Sequence, residues 1–169
     1  MLPVITFFWR LCTLRAHSSN VPTAGWFVAL VVTANILTSL GLSLLITEDA
    51  EPWSIATAIV VQQASFACLL WLALYFRSLD VRFPATLTAV FGSDLLMTAM
   101  LGALLPLLRI ISDGAASSAI FIFFMWNMAI YGHILHQALE IRFAPALGVA
   151  LGMWFLCTVV SQAALELPA

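Results

Sequence analysis

A single acidic residue, Asp94, lies in the interior of a long apolar stretch of the sequence. The other polar residues inside such stretches are amides and histidines, namely Asn35, Gln62, Gln63, Asn127, His133 and His136. If these stretches cross a membrane, a charged group in one of them costs roughly 2.5–3.5 kcal/mol, so each ionisable residue is a functional candidate. The chemistry that these residue types support is proton or ion transfer, in which Asp94 titrates and the two histidines pass protons to one end of the protein.

The same residues also fit a structural role, which we favour from the sequence alone. A side-chain hydrogen bond between membrane helices contributes about 0.6 kcal/mol and fixes the packing of a bundle. His133, His136 and Glu140 are spaced i, i+3 and i+7, a helical stripe that could supply metal ligands. No second set of ligands accompanies the stripe, so we predict no metal site and no cofactor. The alternative is an interfacial histidine pair that faces lipid headgroups.

The composition indicates the environment of the chain. Of its 169 residues, 63% are hydrophobic and only 8% are charged, whereas an ordinary soluble domain carries about 25% charged residues. So much apolar surface would aggregate in water. The net charge of −2 leaves no basic patch, which excludes nucleic-acid binding. No nucleophile elbow, Walker loop, HExxH or dinucleotide motif occurs, so we predict a protein that is not an enzyme, with no catalytic residue.

Five apolar stretches are long enough to cross ~30 Å of hydrocarbon as helices. They cover residues 26–46, 53–76, 85–108, 115–136 and 145–165. Helix is the expected form because backbone groups in lipid must be hydrogen-bonded within the segment. Pro52, Pro84 and Pro145 lie where new helices would begin, as N-terminal prolines should. The predicted fold class is all-α, a polytopic transmembrane bundle over residues 26–169.

Residues 1–25 form a different kind of segment. The first 16 residues are apolar but too short to span a membrane. At helical spacing the polar face holds Thr6, Arg10, Thr13 and His17, and the apolar face holds Phe7, Phe8, Leu11 and Leu14. This pattern predicts an amphipathic helix that lies in the plane of the membrane interface. A frayed N-terminal arm is the alternative.

The distribution of arginine predicts the orientation, because cytoplasmic loops of membrane proteins are enriched in Arg and Lys. With five spans, one side carries Arg10, Arg15, Arg77, Arg82 and Arg142, and the other side carries only Arg109. We therefore predict a cytoplasmic N-terminus and an extracytoplasmic C-terminus. The expected location is the cell membrane, specifically a bacterial inner membrane.

Three of the intramembrane polar residues share one depth. Asp94 lies nine residues after the start of its span, Asn35 nine after the start of its span, and Asn127 nine before the end of its span. Each is therefore about 14 Å from the same end of the bundle at 1.5 Å per residue. A polar layer of these three side chains is geometrically possible, and whether they face each other stays open at this point.

Two further features concern helix packing. Gly148 and Gly152 form a GxxxG motif in the fifth span, which predicts close approach of a second helix backbone. Pro106 in the third span predicts a kink or an early end of that helix.

The third span also carries a family resemblance. The stretch from Phe83 to Gly92, which opens that span, and Pro106 near its end resemble the third helix of the Yip family of Rab-interacting membrane proteins. The arm, five spans and short loops also resemble that family and small inner-membrane proteins of proteobacteria. The chain differs from the eukaryotic members in having no long polar N-terminal region. The resemblance implies a membrane-organising or partner-binding role and transfers no catalytic residue.

The sequence therefore predicts an integral membrane protein with a non-enzymatic, membrane-organising or partner-binding function. Its expected partners are the lipid bilayer and either another membrane protein or a second copy of the chain. The alternative function is a small transporter or proton-coupled permease that uses Asp94.

Overall fold

The structure is a computed structural model that describes residues 2–14, 23–46 and 51–166. Its helices are α1 (Leu2–Cys12), α2 (Gly25–Ile46), α3 (Pro52–Phe76), α4 (Phe83–Ile111), α5 (Asp113–Leu139) and α6 (Phe143–Glu166). A 3₁₀ turn, Asp80–Arg82, precedes α4. The described part of the chain contains no strand, which confirms the all-α fold class.

Among the residues that the structure describes, five helices, α2 to α6, are long and apolar enough to cross a membrane, as predicted. Their ends lie within a few residues of the predicted ones. The differences are largest in α4 and α5, and α4 continues through Pro106 to Ile111, so of the kink or early end predicted at this proline the early end does not occur. A proline removes one backbone donor, and in a membrane bundle neighbouring helices compensate for that loss, so the helix can continue.

The five long helices form a closed ring. Helix α2 packs against α4, α4 against α5, α5 against α6, α6 against α3, and α3 closes the ring against α2. The buried apolar residues form one main core cluster, which includes Leu70, Leu74, Val90, Ile134 and Leu135. The ring order brings the inward faces of all five helices towards one interior, where the polar residues lie.

Side chains link the helices at both ends of the ring. At the arginine-rich end, where α3 leads into α4, Arg82 pairs with Glu140 at 2.6 Å and Arg77 donates to the Leu139 carbonyl at 3.0 Å. At the opposite, acidic end, where the acidic α2–α3 loop lies in the sequence, Arg109 donates to the Leu45 carbonyl at 3.0 Å. The last carbonyls of a helix lack intrahelical partners, so Arg77 and Arg109 cap the ends of neighbouring helices.

Helix α1 belongs to the bundle core. Phe8 and Leu11 of the predicted apolar face are buried, as is Cys12, and Arg10 of the predicted polar face is exposed. However, the buried face packs against α4, and the Cys12 thiol donates to the Ser93 carbonyl. The division of the chain at residue 25 stays a prediction, and the apolar face of α1 is buried by protein. Its placement in the interface plane stays a prediction, and His17 lies outside the described residues.

The predicted packing role of the GxxxG motif is not seen within the chain. Gly148 and Gly152 are exposed, and a Cβ atom added at either would meet nothing within 4 Å. Helix α6 instead packs through the opposite face, which holds Ala146, Ala150 and Met153. The close approach is made by Gly132 of α5, where an added Cβ would lie 3.2 Å from the Cα atom of Leu147.

We expect Gly132→Leu to destabilise the bundle and Gly148→Leu to leave the melting temperature nearly unchanged. A leucine at position 132 must push against backbone of α6, an overpacking that typically costs about 1–3 kcal/mol. Thermal melting in mild detergent compares the two variants, which carry the same substitution on facing helices. If Gly148→Leu melts lower than Gly132→Leu, the assignment of the close contact to Gly132 is wrong.

Candidate polar site inside the ring

Asp94 lies at the centre of a hydrogen-bonded network that joins three helices. Asn35 of α2 donates through its Nδ2 atom to Asp94 Oδ2 at 2.9 Å and to the Phe91 carbonyl at 3.2 Å. Asn127 of α5 donates through its Nδ2 atom to Asp94 Oδ1 at 2.6 Å. The three residues that share one depth in the sequence thus face one another across α2, α4 and α5.

Two further side chains extend this network. Gln63 of α3 donates to Asn35 Oδ1 at 2.8 Å, which brings a fourth helix into contact with it. The Tyr131 hydroxyl of α5 interacts with the side chains of Asp94 and Asn127. A carboxylate offers only acceptors, so donors converging from several helices suit it.

One atom of the network has no partner. The Oδ1 atom of Asn127 is buried and accepts no hydrogen bond from the residues that the structure describes. Its orientation follows from Asp94, because the Nδ2 atom of the same amide is the one that can donate to the carboxylate. Leaving a buried acceptor unpaired costs about 1–3 kcal/mol, so the atom is a candidate for contact with water or a ligand.

A cavity of about 190 Å³ lies beside this network. Its wall includes Asp94 and Asn127, and it extends along α2 past Ser39 to Ser43, towards the acidic end of the ring. Gln62, Gln63 and Tyr131 add further polar groups to the wall, and Cys157 of α6 also reaches it. A polar cavity next to a carboxylate inside an apolar bundle is an arrangement that can hold water or a small solute.

The predicted histidines lie apart from this cavity, in the half of α5 that leads to the arginine-rich end. Neither lines the cavity wall. His136 contacts the Ile141 carbonyl through its Nδ1 atom, and His133 contacts Gln137 at 2.8 Å. Glu140 pairs with Arg82, so the stripe of His133, His136 and Glu140 is divided among other partners. In residues 2–14, 23–46 and 51–166, no group of three or more His, Cys, Asp or Glu is placed to hold a metal ion.

Gln63 and Tyr131 belong to the network but were not in the polar layer that the sequence predicted from shared depth. Tyr131 could have been found, because it is four residues after Asn127 and therefore on the same helix face. Gln63 gives no comparable signal, since its neighbour Gln62 is the same residue type and the facing direction of α3 is not visible in the sequence. The aromatic side chains of the cavity wall are equally indistinguishable there from lipid-facing ones.

The outer surface of the ring identifies the class of protein. Large apolar side chains are exposed on every long helix, among them Leu37, Trp71, Leu107, Phe121 and Phe155. An apolar surface of this extent, on five helices of spanning length, suits lipid. The chain is a multi-pass α-helical membrane protein. Comparisons with family models, with curated proteins and with solved structures find no match to this chain.

Proposed function

We propose that this protein is a small transporter or permease that binds a polar solute in the cavity beside Asp94, and that it is not an enzyme. The observation that carries the proposal is the cavity of about 190 Å³ with a carboxylate and an unpartnered buried acceptor in its wall. A polar network with only a packing role satisfies its own hydrogen bonds, whereas this one leaves the buried Asn127 Oδ1 atom without a partner among the described residues.

The depth of the cavity fits a transport role. Asp94 lies eleven residues from the start of α4, about 16 Å from the arginine-rich end at 1.5 Å per residue. Ser43 lies three residues before the end of α2, which places it about 4–5 Å from the acidic end at the same rise of 1.5 Å per residue. The cavity thus reaches from the middle of the ring almost to one end. Solute sites of transporters are typically near the bilayer midplane.

The orientation follows from the arginine distribution and is part of the proposal. We place the arginine-rich end in the cytoplasm and the acidic end outside it, in a bacterial inner membrane. In that orientation the cavity extends towards the extracytoplasmic side.

A second candidate function is a membrane-organising scaffold that binds another membrane protein or a second copy of the chain, as the resemblance to the Yip family implies. The observation that favours it is the number of helices cross-linked by Asn35, Gln63, Asp94 and Asn127. In this candidate the network serves only to hold α2, α3, α4 and α5 in register.

Solute access to the cavity is tested by cysteine labelling on α2. In a background with Cys12, Cys68 and Cys157 changed to Ala, we expect Ser39→Cys to react with a small water-soluble methanethiosulfonate reagent. The matched control is Leu37→Cys, two residues away, where the native side chain is 62% exposed on the lipid face. We expect Ser39→Cys to react about tenfold faster or more, because a thiolate forms readily only where water reaches it.

The orientation of the protein is tested by adding the reagent to one side of the membrane at a time. Reagent added outside intact cells should label Ser39→Cys faster than reagent added to inside-out vesicles. If both cysteines label equally slowly from either side, water does not enter the cavity and the transport proposal is wrong.

A further inference from the structure

Two aromatic pairs form the walls of the cavity. Phe66 of α3 and Tyr131 of α5 have ring centroids 5.4 Å apart. Phe124 of α5 and Trp154 of α6 have ring centroids 4.7 Å apart and meet at 59°. All four rings line the cavity together with the Asp94 carboxyl group. Aromatic faces attract cations through the ring quadrupole, most strongly where the cation is removed from water.

The wall carries one carboxyl group, that of Asp94, and side chains of Ser39, Ser43 and Gln62 that can both donate and accept. The Nδ2 atom of Asn127 already donates to Asp94, and the Nε2 atom of Gln63 already donates to Asn35. The Asn127 Oδ1 atom is buried without a partner in the described part of the chain. None of the described side chains that line the cavity belongs to Arg. A positively charged group with hydrogen-bond donors complements both the Asp94 carboxylate and the unpartnered acceptor of Asn127.

We infer that the cavity binds a small protonated primary amine, with its ammonium group between Asp94 and Asn127 Oδ1 and its alkyl part between the two aromatic pairs. The inference rests on the proposed solute-binding function and specifies its substrate class. The ammonium N–H groups supply the donors that Asn127 Oδ1 lacks, and its charge complements the carboxylate. An inorganic cation would satisfy the acceptors but would leave the aromatic walls without an apolar partner.

The sequence between α2 and α3 has the matching charge. It carries Glu48, Asp49 and Glu51 and no Arg. Clustered negative charge raises the local concentration of cations. The net charge of this segment therefore favours an ammonium ion over a carboxylate as the solute.

The test is isothermal titration calorimetry of the full chain in lipid nanodiscs with three probes of one shape. The probes are propylammonium, neutral 1-propanol and propionate. We expect propylammonium to bind about tenfold more tightly than 1-propanol or better, and propionate not to bind, because one charge-assisted hydrogen bond accounts for a difference of that size. Tetramethylammonium, which keeps the charge but has no N–H donor, should bind more weakly than propylammonium.

Two variants locate the binding. Asp94→Asn should weaken propylammonium binding about tenfold or more. Asp80→Asn, the same change at an exposed acid in the 3₁₀ turn, should leave it unaltered. If 1-propanol or propionate binds as tightly as propylammonium and this binding is lost in a Phe124→Ala variant, the cavity binds solutes but the ammonium inference is wrong. If none of the probes binds, the solute-binding function itself is overturned.

Discussion

Asp94→Leu is expected to destabilise the bundle, whereas Asp94→Asn is expected to keep it folded and abolish solute binding. Leucine removes the acceptors for Asn35 Nδ2 at 2.9 Å and Asn127 Nδ2 at 2.6 Å. Donors left unpaired in a buried site cost about 1–3 kcal/mol. Hydrogen bonds in membranes average only about 0.6 kcal/mol each, since alternative partners exist there, so we expect the lower half of that range.

We expect Asp94→Asn to be tolerated because the Asn127 Oδ1 atom, which has no partner among the described residues, can accept a hydrogen bond from the new amide. The side-chain oxygen of Asp94→Asn can still accept from Asn35, whose own Oδ1 atom is held by Gln63. Its new amide group would face the Nδ2 atom of Asn127, and a flip of the Asn127 amide turns Oδ1 towards it instead.

The measurement pairs thermal melting with a solute-binding or uptake assay for Asp94→Leu, Asp94→Asn and the control Asp80→Asn. The transport proposal expects a folded Asp94→Asn variant without activity, because asparagine carries no charge and cannot titrate. The scaffold candidate expects Asp94→Asn to keep full activity in any biological readout, since the helices stay joined. A fully active Asp94→Asn variant would therefore remove the main support for transport.

Span positions and the shared depth of the polar residues could be predicted because both depend on distance along a helix. An apolar run of about 20 residues has a fixed length when it is helical. A residue nine positions from the end of a span therefore has a fixed depth in the membrane. Asn35, Asp94 and Asn127 meet for this reason. Depth does not give rotation, so the sequence did not show that Gln63 and Tyr131 turn towards the same centre.

Unknown helix rotation also limited the packing predictions. The GxxxG motif at Gly148 and Gly152 is a face of small residues, but α6 turns Ala146 and Ala150 inward and leaves the glycines outside. The amphipathic pattern of α1 gave its two faces correctly. It could not distinguish lipid from α4 as the apolar surroundings of Phe8 and Leu11, because both are equally apolar.

The second large effect concerns the docking of α1 on α4. A Cβ atom added at Gly92 would lie 2.1 Å from the Cε1 atom of Phe8, so the buried Phe8 ring must leave its position. Cys12 lies one turn further along α1 and makes two hydrogen bonds. Its thiol donates to the Ser93 carbonyl, and its carbonyl accepts from the Trp126 indole N–H at 3.1 Å. We expect Gly92→Ala to displace α1 and expose the Cys12 thiol.

The expected result is faster alkylation of Cys12. Burial, with a smaller contribution from the Asp94 carboxylate, raises the pKa of the Cys12 thiol to about 11 from the usual value of 9.0. Exposure lowers the pKa towards its usual value, so the thiolate fraction at pH 8, below both values, rises roughly a hundredfold. Alkylation by iodoacetamide at pH 8, in a Cys68→Ala and Cys157→Ala background, measures this rate.

The matched control is Gly102→Ala on the same helix, where an added Cβ would make an ordinary contact of 3.7 Å with Leu42. We expect this variant to alkylate Cys12 at the parent rate. Phe8→Ala removes the ring that clashes, so in that background Gly92→Ala should add no further increase, a non-additivity that identifies the two residues as one contact. If Gly92→Ala and Gly102→Ala give the same rate, α1 does not depend on Gly92 for its place against α4, and its docking has to rest on Leu11 and Cys12 instead.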